Sequence, residues 1–294
     1  LAKKIRLIKR VCWPKKYYVG RPNITSTLSI VFNIIKILHS KVLTNNGPWV
    51  HRLESYLSNI HGGGEVIVVS NATVGLQLLA KALELKGEVI IPSFTFIATA
   101  HALTWENITP IFCDIDEETH LINLDSAERC ITSNTTAILA VHIWGQICNH
   151  KDLLALCKKY QIELIYDASH AFGCSDDSYS LSETGTASVV SMHATKIIHS
   201  LEGGFIITRS IDLANKLKYM RNFGFTGYDE VKYLGINAKM NEISALIGLK
   251  NATNLAKIVK HNFTNYLEYA KVFESISGLK MLKYDSNHQN NFQY

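Results

Sequence analysis

Three short segments carry residue types that can do chemistry if a fold holds them together. Ser191-Met-His193-Ala-Thr-Lys196 sets a lysine among small and hydroxyl residues, and Glu202-Gly203-Gly204 follows soon after. An amine condenses with a carbonyl only when neutral. Lysine ordinarily titrates near about 10.4, so its surroundings must favour the neutral form. Tyr166-Asp167-Ala-Ser-His170-Ala171 places an acid just past an apolar run, where a buried carboxylate needs a cation or strong donors. Ser70-Asn-Ala72-Thr73-Val-Gly75 brings small residues and hydroxyls to the start of a helical stretch. Free N–H groups and the helix dipole make such a start a cradle for phosphate. Each segment also has a plainer reading: an exposed loop lysine, a structural ion pair, a helix cap. None decides the matter alone.

The elements around these segments alternate. Apolar runs at Glu65–Ser70, Glu88–Ile91, Ile108–Phe112, Ala137–Val141, Ile162–Tyr166, Ser188–Met192 and Gly204–Thr208 read as strands. Helical spacing fills residues 23–43, Pro48–Asn59, Thr73–Glu84, Thr95–Trp105 and His150–Tyr160. Nearly continuous apolar strands divided by helices mean a mainly parallel sheet covered on both faces. The fold class is therefore α/β: a large three-layer domain over 1–237, then a long helix and the start of a smaller C-terminal domain over 238–294. One or two long helices are expected from Ala238 to Ser275, and the chain ends at Tyr294 inside what reads as a strand. A start before Leu1 and a continuation past Tyr294 are both expected.

In such a sheet, ligands sit beyond the carboxyl ends of the strands. The cradle, the acid and the lysine each follow a different strand. A phosphate, a ring nitrogen and an aldehyde need three such anchors, and pyridoxal phosphate carries all three.

The ordered segments LTNNGP (43–48), SNATVGLQL (70–78), PSFTFIATA (92–100), DIDEETHLIN (114–123), VHIWGQ (141–146), YDASHAFG (166–173), SMHATK (191–196), EGG (202–204), RNFGFTG (221–227) and GINAKMNEISA (235–245) resemble the DegT/StrS family of sugar aminotransferases, within fold-type-I pyridoxal-phosphate enzymes. The resemblance runs from about Leu43 to Leu249 and more weakly beyond. It implies that Lys196 holds the cofactor as a Schiff base and that Asp167 pairs with the pyridinium nitrogen. It gives the phosphate to Ala72, Thr73 and Ser191, the ring face to Phe96, and a place beside the ring to His170. It also implies that Asn237 or Lys239 reaches the cofactor of a neighbouring subunit, making a homodimer the working unit. L-glutamate and a nucleotide-linked keto sugar are the implied substrates. The texture is most similar to the branch forming the 4-amino sugar of viosamine type; a 3-aminating relative would share nearly every motif. Family dehydratases carry histidine in place of the lysine, and Lys196 argues against that activity. A different fold-type-I enzyme, or a non-catalytic binding protein, are the remaining readings. His193 reads as a framework residue.

Composition sets outer bounds. With 47% apolar and 19% charged residues over 294 positions, a globular protein of one large and one smaller domain is expected. The net charge of +5 comes from scattered lysines, which gives no argument for nucleic acid. No apolar run reaches the roughly 18 residues of a membrane span, and no signal-peptide pattern opens the chain, so a cytoplasmic protein is expected. Cys12, Cys113, Cys130, Cys148, Cys157 and Cys174 lack metal-ligand spacing and read as small hydrophobes in a reducing compartment. The Asp114, Asp116, Glu117 and Glu118 cluster reads as a solvated turn, and no metal is expected.

Overall fold

The computed structural model describes residues 20–294; Cys12 and the beginning of the expected large domain lie outside the described residues. Sixteen helices and strands alternate over most of this length. They are α1 (Thr27–Ser40), α2 (Pro48–Ile60), β1 (Glu65–Val69), α3 (Ala72–Ala82), β2 (Glu88–Pro92), α4 (Ile97–Trp105), β3 (Thr109–Cys113), α5 (Leu124–Arg129), β4 (Thr135–Val141), α6 (His150–Tyr160), β5 (Glu163–Asp167), β6 (Ala187–Ser191), β7 (Gly204–Thr208), α7 (Ile211–Met220), α8 (Glu242–Ala252) and α9 (Leu255–Phe273).

The strands form one seven-stranded sheet in the order β1-β7-β6-β5-β4-β2-β3. Every pairing is parallel except those of β7, which runs antiparallel to β1 and β6. Period-two alternation explains why the strands read as unbroken apolar runs. Ile67, Val69, Ala137 and Leu139 face a core shared with α3, α4 and α7. Val66 and Val68 face the opposite layer of α2 and α8, while Ile138 and Ala140 face α5 and α6. The expected three-layer α/β architecture is what forms.

Side-chain caps fix where helices start. Asn71, Asn123, Asn149, Ser210 and Asn241 each accept an N–H from the first turn of α3, α5, α6, α7 and α8. The helix expected from Thr95 begins at Ile97, and the short α5 was not anticipated. The C-terminal expectation needs correction: Tyr294 lies in no strand. Asn291 Nδ2 donates to the carbonyls of His170 and Phe172 at 2.8 and 3.2 Å, and Gln293 Oε1 accepts from Ile197 N–H at 2.9 Å. Side chains, rather than a ladder, anchor this segment across the sheet's carboxyl end.

Cys113, Cys148, Cys157 and Cys174 are buried and Cys130 partly so. Burial pushes the first four thiols up to about 12, which leaves them unreactive. Among the described residues, no helix is long and apolar enough to cross a membrane.

Candidate active site

A cavity of about 840 Å³ opens beyond the carboxyl ends of β1, β4, β5 and β6, and seven of the expected residues share its wall: Ala72, Thr73, Phe96, Asp167, His170, Ser191 and Lys196. At the β1 end, Asn71 Oδ1 accepts the N–H of Val74 at 2.9 Å, so a cap is present. The cradle reading stands beside it, because the N–H groups of Ala72 and Thr73 precede any carbonyl that α3 can offer them. Gly204 of β7 passes close beneath; a Cβ there would meet the Ala72 nitrogen at 2.8 Å. A glycine is what lets the sheet approach the helix start so closely.

Asp167 closes β5 and is only 4% exposed. Thr99 donates to its Oδ2 at 2.7 Å and the Ser169 N–H to its Oδ1 at 3.0 Å. Among the described residues no cation lies within ion-pair distance of it. A buried carboxylate held by neutral donors, facing a cavity, lacks the countercharge that such burial requires. A protonated ring nitrogen in the cavity would supply it.

Lys196 stands on the adjacent wall, its Nζ donating to the Tyr294 hydroxyl at 3.2 Å. Burial lowers its pKa, and the charge of Asp167 opposes that in part. The net direction is the one that amine chemistry needs. His170 Nδ1 accepts the Trp144 backbone N–H at 3.2 Å. Burial first, then the Lys196 charge, lowers its pKa to about 3, so the ring is neutral. Ser191 is 7% exposed at the end of β6, and Phe96 is 71% exposed on the cavity rim, its face available to a planar ligand.

Asn237 and Lys239 are not brought to this cavity. Lys239 Nζ donates to Asn222 Oδ1 at 2.5 Å, and Asn237 is exposed. Their segment nevertheless braces the site from behind, since Ala238 accepts the Ser70 N–H at 2.8 Å. His193, expected in the framework, also lies on the cavity wall, with Nε2 3.4 Å from Glu202 Oε1. In the acidic cluster, Asp116 Oδ1 accepts the N–H groups of Glu118 and Thr119 and the Thr119 hydroxyl, and so organises a turn.

Sequence reasoning missed Thr99, Ser169, Trp144 and Tyr294. Thr99 carried a signal: it is the one hydroxyl among the buried residues of its helix, beside Ala100, Ala102 and Leu103. Trp144 stood inside a quoted motif without a role. Tyr294 gave none, because its place depends on how the terminal segment crosses the sheet.

Residues 28–294 match the profile of the DegT/DnrJ/EryC1/StrS aminotransferase family. A dTDP-4-amino-4,6-dideoxy-D-glucose transaminase of Shigella dysenteriae is 33% identical over 280 residues, covering 95% of this chain and 76% of the relative. A transaminase of the same name from Escherichia coli is 32% identical over 279 residues, covering 94% and 75%. The crystal structure of DesI with its TDP-sugar product superposes with a TM-score of 0.92 at 36% identity, over 96% of this chain and 72% of that one. The chain belongs to the DegT/DnrJ/EryC1/StrS aminotransferase family. It is a sugar aminotransferase that works with pyridoxal phosphate.

Proposed function

We propose that the chain moves an amino group from L-glutamate to C4 of dTDP-4-keto-6-deoxyglucose, in the cytoplasm. The transaminases of Shigella dysenteriae and Escherichia coli, both named for the corresponding 4-amino sugar, support this choice of substrate. The observation that carries the chemistry is Asp167, buried with no cation at ion-pair distance among the described residues and facing the same cavity as Lys196. When bound, pyridoxal phosphate supplies the electron sink that lets a proton leave carbon.

The rest falls to the chain's own residues. Lys196 is the residue that would hold the cofactor through its aldehyde carbon, and as a free neutral amine its Nζ would carry the proton at the reacting carbon. Asp167 would keep the ring nitrogen protonated, and Thr99 and Ser169 hold that carboxylate in place. Ala72, Thr73 and Ser191 bind the phosphate, Phe96 covers one ring face, and His170 lies at the ring's side. Asn237 or Lys239 serves the neighbouring subunit of a homodimer; what supports this is that Asn237 is exposed away from its own cavity. The division into 1–237 and 238–294 is likewise our proposal. Of its two helices, α9 buries little against the large domain, whereas α8 packs within it.

The test is direct. Purified protein with pyridoxal phosphate, L-glutamate and dTDP-4-keto-6-deoxyglucose should yield an amino sugar by mass spectrometry, with NMR placing nitrogen on C4. Nitrogen on C3 would move the assignment to the 3-aminating reaction. Bound cofactor with no amino sugar formed would overturn the reading. Lys196→Ala should abolish the visible absorbance of bound cofactor, and sedimentation should report a dimer.

A further inference from the structure

Trp144 is held more tightly than a residue in a short connection needs. It follows β4 with a left-handed backbone (φ 59°, ψ 7°), a conformation rare for a bulky side chain. Its Nε1–H donates to His120 Nδ1 at 2.9 Å, and His120 is itself left-handed at φ 60°. Its carbonyl accepts the Tyr284 hydroxyl at 3.1 Å, and its ring stacks on His170 with centroids 5.9 Å apart. Gly145, next in the chain, has no room for a side chain: a Cβ would lie 3.1 Å from the His170 carbonyl. Strained backbone with this many anchors marks a position whose geometry is being used.

What the geometry delivers is one N–H. The Trp144 backbone nitrogen can only donate, so Nδ1 of His170 must accept, and a neutral ring then carries its proton on Nε2. Among the described residues Nε2 of His170 has no hydrogen-bond partner, yet it is not sealed off as His142 Nε2 is. We propose that His120 and Trp144 are a positioning pair: they fix His170 as the Nε2–H tautomer and so keep a hydrogen-bond donor, never an acceptor, on the cavity wall.

The consequence is a selectivity for what lies beside the ring. An acceptor atom, such as an oxygen on the bound molecule, is matched, and a donor is turned away. Identifying that molecule as the cofactor or the sugar rests on the function proposed above; the tautomer itself does not.

Nitrogen NMR of histidine-labelled full-length protein, without added cofactor, tests the pair, with the His170 signals assigned by their loss in His170→Gln. The unaltered protein should show His170 in the Nε2–H form alone. His120→Phe removes the acceptor for the indole and Trp144→Phe removes its donor. In both, the Nδ1–H form should rise at least about tenfold as the Trp144 backbone relaxes. His120→Asn restores an acceptor and should return the single tautomer. An Nδ1–H form in the unaltered protein, or an unchanged tautomer in His120→Phe with its amide spectrum intact, overturns the proposal. So does His120→Asn behaving like His120→Phe. If Trp144→Phe fails to fold, the two His120 variants decide. Since no cofactor is present, a failure to bind pyridoxal phosphate leaves every one of these outcomes readable.

Discussion

Helices α2 and α3 begin with the same unsatisfied N–H groups and meet different partners. At the start of α2, the N–H groups of Trp49 and Val50 donate to the two carboxylate oxygens of Glu242, at 2.8 and 3.1 Å. Gly47 makes the approach possible, since a Cβ there would lie 2.6 Å from the Glu242 carboxyl carbon. At the start of α3, Asn71 takes one N–H and the rest of the turn opens on the cavity. Both ends carry about half a positive charge from the aligned peptide dipoles. The chain brings its own anion to one and leaves the other for an anion from outside. A helix start is therefore a binding site only where the fold has not already closed it.

Breaking the closed end should have the largest effect. Glu242 is 1% exposed, and Glu242→Ala strands one buried and one partly buried N–H group of α2 while removing the charge that answers the dipole. A loss of about 3–5 kcal/mol is expected, read as the urea midpoint at constant slope. Glu242→Gln keeps one acceptor and loses the charge, so about 1–2 kcal/mol is expected. If Glu242→Ala cost under about 1 kcal/mol, water or another group would be closing α2, and the contrast between the two helix starts would fail.

Acid should loosen the closed side of the molecule next. His61 lies at the end of α2 with both ring nitrogens engaged: Nδ1 bonds the Leu57 carbonyl at 2.8 Å, and Nε2 accepts the Gly173 N–H at 3.1 Å. That pairing suits only the neutral ring. Burial, opposed by the Leu57 carbonyl, lowers its pKa to about 4, and burial and His150 lower that of His142 to about 3. Unfolded histidine titrates near about 6.5. Between these values the unfolded chain holds more protons, so stability falls as pH drops below about 6.5 and levels off only below the folded values. From pH 7 to pH 5, each of the two rings should cost about 2 kcal/mol. His61→Gln should remove its share of the slope; an unaltered slope would mean that other groups carry the acid response.

The two helix starts also divide what the sequence disclosed from what it hid. Strands such as Gly204–Thr208 were legible because both of their faces are buried, so apolar content alone marked them. The cradle at Ala72 and Thr73, Asp167 and Lys196 were legible because each follows a strand in an α/β sheet, where the local order of residues fixes their place, whereas Phe96, His170 and Ser191 were named from the family resemblance. The Glu242 clamp was not, since it joins positions far apart in the chain through a packing of α8 on α2 that no local pattern encodes. Thr99 and Tyr294 were hidden for the same reason. Asn237 and Lys239 were named from family texture, and their place away from this cavity follows from contacts with Asn222, which again only the fold reveals.

At the open end the smallest change in stability should separate the two jobs done within one turn. Asn71→Ala deletes the cap of α3 and should cost about 1 kcal/mol. Thr73→Val keeps the shape of the side chain and removes the hydroxyl of a residue that lines the cavity, so stability should stay within about 0.5 kcal/mol. The same hydroxyl, if it meets a phosphate, contributes a hydrogen bond to a charged group, and its loss should raise the dissociation constant for pyridoxal phosphate about tenfold, or about 1.4 kcal/mol. Thermal unfolding without cofactor and a fluorescence titration with it measure the two quantities separately. A Thr73→Val protein that melts early yet binds as before would make the start of α3 a second closed end, with its hydroxyl serving the helix and not the ligand.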